Sequence, residues 1–178
     1  VVEVEGVSEL LPACDTLAGE NMKLMTHSPM VMEARKTILE MLITSGVSGA
    51  LVLAFLTLIN PGDEVVCPDP YFVMYKHLVN LVGGVPVTVD TYDDAFQIDP
   101  ARLEAAVTDR TKVIIVNSPC NPTGAVFSRE SLVEIARIAR QRGILVMTDE
   151  IYDSFVYSDA PPASIATLYE NVLWVGGL

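Results

Sequence analysis

The sequence is poor in basic residues, and this scarcity limits the partners that it can bind. Eleven Lys and Arg residues stand against 23 Asp and Glu residues, which gives a formal net charge of −12 at pH 7. A surface of that sign repels the phosphates of nucleic acids and of anionic membranes. We therefore expect no nucleic-acid or membrane partner, and we interpret the acidic excess as a solvated surface.

Cysteine and long apolar runs are also scarce. The three cysteines, Cys14, Cys67 and Cys120, are odd in number and far apart, and no CxxC pair or His-rich cluster accompanies them. This pattern supports neither a disulfide framework nor a metal site. The longest mainly apolar run, residues 50–59, is far shorter than the roughly 20 residues that cross a bilayer, and Val1 opens no secretory signal pattern. We expect a cytoplasmic protein.

Hydrophobic residues, in contrast, are abundant. They make up 51% of the 178 residues, enough for a parallel sheet that is covered on both faces. A chain of this length favours one compact α/β domain with a sizeable core. The predicted fold class is α/β, with three layers and a mainly parallel sheet between helices.

The stretch from residue 113 to residue 152 carries the clearest pattern. Two apolar runs, 113–116 and 144–147, flank a segment with helical spacing at 128–142, which predicts a βαβ crossover with parallel strands. Polar motifs follow both strands: Asn121-Pro122-Thr123-Gly124 and Asp149-Glu150-Ile151-Tyr152. Open α/β sheets bind ligands at the carboxyl ends of their strands, so we expect one crevice to receive both motifs.

Elsewhere the pattern is coarser. Asp99-Pro100 has the residue types that begin a helix, and the apolar segment that starts at Ala50 predicts another helix. The remaining predictions are strands at 42–44, 64–68, 85–89, 111–116, 144–148 and 172–175, and helices at 30–41 and 71–82. We treat residues 1–40 as an unassigned N-terminal segment and residues 41–178 as one domain.

The two polar motifs carry a family resemblance. Residues 117–124, Asn-Ser-Pro-Cys-Asn-Pro-Thr-Gly, together with residues 148–152, Thr-Asp-Glu-Ile-Tyr, resemble the class I/II aminotransferases among the fold-type I pyridoxal-phosphate enzymes. The resemblance runs from about Leu42 to Leu178. It implies that residues 41–178 are most of a large, cofactor-binding domain, with pyridoxal 5'-phosphate as the cofactor. It further implies amino-acid and 2-oxo-acid substrates, a ping-pong transfer of the amino group, and a homodimer.

The resemblance assigns roles to three residues of these motifs. Asp149 matches the carboxylate that pairs with the ring nitrogen, and Asn121 and Tyr152 match donors to the phenolic oxygen. Taken alone, Asp149 could also cap a turn, or belong to the metal-binding strand of an ATPase, although the GxxxxGK[ST] loop of that class is absent. The isomer of the Asn121-Pro122 bond, which is cis in the family, is open at this stage.

Two further contacts come from earlier in the chain. A glycine-containing turn that precedes a helix matches the phosphate-binding turn of the family at Val47, Ser48 and Gly49, where free N–H groups favour an anion. Phe72 matches the aromatic residue that stacks on the cofactor ring. Structural packing is the alternative explanation for each, and we interpret Tyr75 as packing.

Two essential family residues are expected outside residues 1–178. The cofactor-linked lysine is expected in an S-K motif just after Leu178, and the arginine that binds the substrate carboxylate is expected in a later, smaller domain. We therefore expect no catalytic residue within the chain, and no transamination by residues 1–178 alone. A β-eliminating lyase of the same fold, or a non-catalytic binding or assembly protein on a degenerate form of it, are the alternative functions.

Overall fold

The computed structural model describes residues 3–4, 23–25, 29, 31, 44, 46–157 and 161–177. The chain divides into two compact units, Val1–Ile43 and Thr44–Leu178. In the first unit, two-residue strands β1 (Glu3–Val4) and β2 (Leu24–Met25) form an antiparallel pair. Most of the predicted helix at 30–41 and of the predicted strand at 42–44 lies outside the described residues.

The second unit contains a five-stranded parallel sheet, which confirms the predicted fold class. Every neighbouring pair of strands is parallel, and their order across the sheet is β4-β3-β5-β6-β7. The strands are β3 (Glu64–Asp69), β4 (Val85–Asp90), β5 (Thr111–Asn117), β6 (Leu145–Asp149) and β7 (Val172–Val175).

Four α-helices accompany the sheet in the described part of this unit: α1 (Gly46–Leu58), α2 (Met74–Leu81), α3 (Pro100–Ala106) and α4 (Arg129–Arg142). The side chains of Asp99 and Ser128 accept hydrogen bonds from the N–H groups of Ala101 and Ser131, and thereby cap α3 and α4. Short 3-10 helices lie at Tyr92–Asp94, Asp153–Phe155 and Ile165–Thr167.

Helix α1 begins four residues earlier than the sequence pattern predicts. We expected a turn ahead of Ala50, but the structure makes Val47, Ser48 and Gly49 the first helical turn. Glycine and serine have weaker helix propensity than the apolar residues that follow, so composition alone places the start too late. Gly46 enters the helix with a φ of +80°, in the left-handed region that glycine tolerates.

Alternate residues of the central strand are buried on opposite faces of the sheet. Ile114 and Val116 of β5 join a core cluster with residues of α3 and α4, whereas Val113 and Ile115 are buried outside that cluster. Helices α1 and α2 contact each other, and their buried residues also lie outside the cluster. The strands are thus covered on both faces, as in a three-layer α/β fold.

The strand order reverses between β3 and β5. From β3 the chain forms β4 at one edge of the sheet, and then returns to form β5 on the other side of β3. The carboxyl ends of β3 and β5 flank this switch point, where parallel sheets bind ligands. Asn117 at the end of β5 pairs in register with Asp149 at the end of β6, so the two polar motifs leave the sheet side by side, as predicted.

Candidate active site

Asp149 is a buried carboxylate at the carboxyl end of β6, with 3% of its surface exposed. Its Oδ2 accepts a hydrogen bond from the Tyr75 hydroxyl at 2.7 Å, and its Oδ1 accepts one from the Ile151 N–H at 3.3 Å. Burial raises the pKa of Asp149 above its ordinary value, and the charge of Glu150 adds to this; the two hydrogen bonds act against it. Each oxygen keeps a lone pair for a further donor.

Tyr75 is the residue whose importance the sequence analysis missed. It lies near the start of α2 with 1% of its surface exposed, and its ring contacts Phe72 edge-on at 5.7 Å. Burial and the negative charge of Asp149 raise the pKa of the Tyr75 hydroxyl, so it remains protonated and donates to Asp149. A buried tyrosine hydroxyl needs a partner, and this requirement was the available signal.

Asn121 lies in the loop that leaves β5, and its position is set through Asn117. The N–H of Asn121 donates to Oδ1 of Asn117 at 2.8 Å, and the side-chain amide of Asn117 donates to the carbonyl oxygen of Asp149 at 3.0 Å. The Asn121-Pro122 bond is cis. The side-chain amide of Asn121 is half-buried and makes no hydrogen bond to any described residue, so its donors are available to a ligand.

Tyr152 lies three residues beyond Asp149, but its side chain makes different contacts. It precedes the 3-10 helix at 153–155, its ring contacts Phe155 at 6.2 Å, and 38% of its surface is exposed. Its hydroxyl has no hydrogen-bond partner within the described part of the chain. The structure thus connects Phe72, Asp149 and Asn121 through side-chain contacts, and it connects Tyr152 to them through the main chain.

Glu150, the residue after Asp149, bonds to a different set of residues. It is 9% exposed, and its carboxylate accepts hydrogen bonds from three side chains: Thr148 at 2.8 Å, Ser164 at 2.7 Å and Trp174 at 3.0 Å. These bonds connect the end of β6 to β7 and to the 3-10 helix at 165–167. The two adjacent carboxylates therefore have separate hydrogen-bond partners, and that of Glu150 joins neighbouring segments of the chain.

The N-terminus of α1 has the properties of an anion site. The N–H groups of Val47, Ser48 and Gly49 belong to the first helical turn, where the α-helical pattern supplies no acceptor. The positive end of the helix dipole lies at the same place, and no acidic residue occupies this turn. Ser48 is exposed, and α1 contacts both α2 and β7 of the same unit.

Three further observations concern metal ligands, membrane spans and thiols in the described residues. No group of three His, Cys, Asp or Glu side chains among them could hold a metal ion. None of the helices in the described ranges is long and apolar enough to cross a membrane. Cys67 and Cys120 are buried free thiols, and burial raises the pKa of Cys67 to about 12, so it stays protonated at neutral pH.

Comparison with known proteins shows the family of the chain. The model of the family described as aminotransferase class I and II matches residues 16–178. The chain belongs to this family. The match begins upstream of Leu42, the residue at which the resemblance in the sequence begins. Residues 16–40 are therefore within the family match.

Individual relatives cover the same part of the chain. An aspartate aminotransferase of Bacillus sp. (strain YM-2) is 43% identical over 134 residues, which are 75% of this chain and 34% of the relative. The putative aminotransferase YugH of Bacillus subtilis is 48% identical over 130 residues, 72% of this chain and 33% of the relative. The structure of an aspartate aminotransferase from Thermus thermophilus with maleate aligns with a TM-score of 0.73 and 40% identity, and covers 75% of this chain and 35% of that one. The chain thus spans about a third of the length of its relatives.

Proposed function

We propose that this chain is the cofactor-binding part of a pyridoxal 5'-phosphate-dependent aminotransferase, which transfers an amino group from an amino acid to a 2-oxo acid. The observation that carries the proposal is the buried carboxylate of Asp149. It accepts a hydrogen bond from Tyr75 at the carboxyl end of β6, and it lies beside the Asn121 loop, which leaves the neighbouring strand β5 at the switch point of the sheet. Pyridoxal 5'-phosphate, when bound, supplies an electron sink for the substrate's α-carbon.

The environment of Asp149 suits the ring nitrogen of this cofactor. Burial makes the isolated carboxylate unfavourable, and a positively charged partner within hydrogen-bonding distance relieves that cost. The same pairing keeps the partner nitrogen protonated. Tyr75 occupies one lone pair of Asp149 Oδ2 and thereby restricts the direction in which the carboxylate can accept another donor.

The remaining contacts supply the other groups that the cofactor requires. Asn121 and Tyr152 each present a polar group without a partner among the described residues, and we assign both to the phenolic oxygen. The ring of Phe72, which is oriented by its edge contact with Tyr75, covers one face of the cofactor ring. The first turn of α1, Val47 to Gly49, binds the phosphate through main-chain N–H groups and the Ser48 hydroxyl.

The test of this assignment is replacement of Asp149 in the complete enzyme. Asp149→Ala should lower turnover of amino acid and 2-oxo acid by about a hundredfold or more, which corresponds to about 2.7 kcal/mol of transition-state stabilisation. The exposed neighbour Asp153 supplies the matched control, since its side chain bonds only to Ser154 among the described residues. Near-normal turnover of Asp149→Ala, with the cofactor bound, would contradict the proposal.

We also propose, on the family pattern, that the cofactor-linked lysine follows shortly after Leu178 and that the complete enzyme is a homodimer. Borohydride reduction of the loaded enzyme and peptide mapping should place the label beyond residue 178. Stoichiometric labelling of a lysine within the chain would show the assignment to be wrong; the candidates are Lys23, Lys36, Lys76 and Lys112. If the fully active complete enzyme sediments as a monomer, the proposed homodimer is wrong.

A further inference from the structure

The buried amide of Asn117 connects the main chains of two residues of the proposed site. Asn117 is the last residue of β5, and 2% of its surface is exposed. Its Nδ2 donates to the carbonyl oxygen of Asp149 at 3.0 Å and to that of Pro119 at 3.3 Å. Its Oδ1 accepts the N–H of Asn121 at 2.8 Å. One side chain therefore joins the end of β6 to the loop that carries Asn121.

The two ends of this connection differ in how firmly the rest of the fold holds them. Asp149 belongs to β6, whose pairing with β5 and β7 fixes its main chain. Asn121 lies beyond the sheet, between Pro119 and Pro122, and prolines contribute no N–H to hold a loop. Main-chain bonds hold the residues on either side: the Ser118 N–H donates to the carbonyl oxygen of Asp149 at 3.2 Å, and the Cys120 N–H donates to that of Ala125 at 2.9 Å. The bond to Asn117 is the hydrogen bond that the structure shows for the Asn121 N–H. Asn117 thus ties Asn121 itself, rather than only the start of the loop, to the end of the strand.

The chemistry of this connection requires an amide. Two acceptors, the carbonyl oxygens of Asp149 and Pro119, face the nitrogen of Asn117, and one donor faces its oxygen. An aspartate would place a carboxylate oxygen against both carbonyls, and an apolar side chain would leave the partly buried Asn121 N–H without this acceptor. Asparagine supplies donors and an acceptor at the required spacing.

We propose that Asn117 is a positioning residue, which sets the distance between the Asn121 and Asp149 contacts to the cofactor. This inference rests on the proposed function. The ring nitrogen and the phenolic oxygen belong to one rigid aromatic ring, so the groups that bind them must be held at a matching distance. Binding sites need such geometry to within about half an ångström. Asn117 meets this need without touching the ligand.

The first experiment measures the affinity of the complete apoenzyme for pyridoxal 5'-phosphate by absorbance titration. Asn117→Ala should raise the dissociation constant by about tenfold or more, because the Asn121 loop loses its fixed position. Glu64→Gln is the matched control. Glu64 is also a buried polar residue that accepts bonds from several side chains, but it lies at the opposite end of the sheet. Glu64→Gln should lower the urea midpoint of unfolding, and it should change the affinity for pyridoxal 5'-phosphate by less than about twofold.

A double-mutant cycle then separates positioning from a general loss of structure. If Asn117 acts through Asn121, Asn117→Ala should change the affinity by less than about threefold in an Asn121→Ala background. An unchanged tenfold effect in that background would overturn the inference. If neither Asn121→Ala nor Asp149→Asn weakens binding, the proposed site itself is wrong. If both weaken binding but the cycle is additive, only the role of Asn117 is wrong.

A measurement on the unaltered apoenzyme covers the case in which the Asn117 variant does not fold. The main-chain N–H of Asn121 should exchange its hydrogen about a hundredfold or more slower than an unprotected main-chain N–H, because it donates to Oδ1 of Asn117. Exchange at the rate of an unprotected loop would overturn the inference, because the loop would then be free of Asn117. Protection that is lost in a folded Asn117→Ala apoenzyme would support it.

Discussion

Replacing Tyr75 with phenylalanine removes one hydroxyl group and therefore isolates its hydrogen bond to Asp149. The bond is 2.7 Å long, and both partners are almost completely buried. Hydrogen bonds to charged groups stabilise proteins by about 1.5–3 kcal/mol, compared with about 0.5–1.5 kcal/mol for neutral pairs. We expect Tyr75→Phe to lower the free energy of unfolding at neutral pH by about 1.5–3 kcal/mol.

The pH dependence of this loss tests its electrostatic origin. Burial raises the folded-state pKa of Asp149, so ionisation costs stability as the pH rises from the unfolded-state pKa through the folded-state pKa. The Tyr75 hydrogen bond reduces that cost because it favours the charged carboxylate. Without the hydroxyl, the pKa of Asp149 rises further. The destabilisation by Tyr75→Phe should therefore grow as the pH is raised, and shrink as Asp149 becomes protonated.

Tyr169 supplies the matched control for this experiment. Its hydroxyl is also buried and donates at 2.8 Å, but to a neutral acceptor, the carbonyl oxygen of Ile144. Tyr169→Phe should cost about 0.5–1.5 kcal/mol at every pH. Urea unfolding of the apoenzyme between about pH 5 and about pH 8 measures both variants. If Tyr75→Phe and Tyr169→Phe lower the free energy of unfolding by the same amount at every pH, the reasoning is refuted.

Three other substitutions have expected outcomes. Gly84→Ala should lower the free energy of urea unfolding by about 1–3 kcal/mol, because the added Cβ would lie 2.8 Å from a methyl group of Ile59. Ser48→Asp should raise the melting temperature of the apoenzyme, since a negative charge at a helix N-terminus contributes about 0.3–1 kcal/mol, and should weaken pyridoxal 5'-phosphate binding in titrations. Asp149→Asn removes a carboxyl whose ionisation costs stability, so the urea midpoint of the variant should rise relative to that of the unaltered protein as the pH increases. A difference between the two midpoints that stays constant with pH would contradict this.

Much of the fold could be predicted because local patterns agree with the tertiary structure. Ser128 and Asp99 cap the helices that they were expected to begin, and the last strand has its predicted bounds at Val172–Val175. The pairing of Asn117 with Asp149 follows from two apolar runs separated by a helix of suitable length. Each prediction depends on residues that are close in sequence, or on a rule of topology.

What sequence could not supply was the set of contacts between distant segments. Tyr75 and Asp149 are 74 positions apart, and their bond depends on how α2 packs on the sheet. An aromatic residue in an amphipathic helix is typical of a core, so the sequence indicates that the Tyr75 hydroxyl needs a partner but does not indicate which residue that partner is. The connection through Asn117 was hidden for a similar reason: the bonding of a strand-end asparagine depends on the path of the following loop.

The hydrogen bond between Trp174 and Glu150 has a practical consequence. Trp174 is the single tryptophan among the 178 residues, and its indole N–H donates to the carboxylate directly after Asp149. Half of its surface is exposed, so its fluorescence depends on both the solvent and this bond. Rearrangement of the turn from Asp149 to Tyr152 should shift its emission. The chain therefore contains an intrinsic optical reporter beside the residues that are proposed to receive the cofactor.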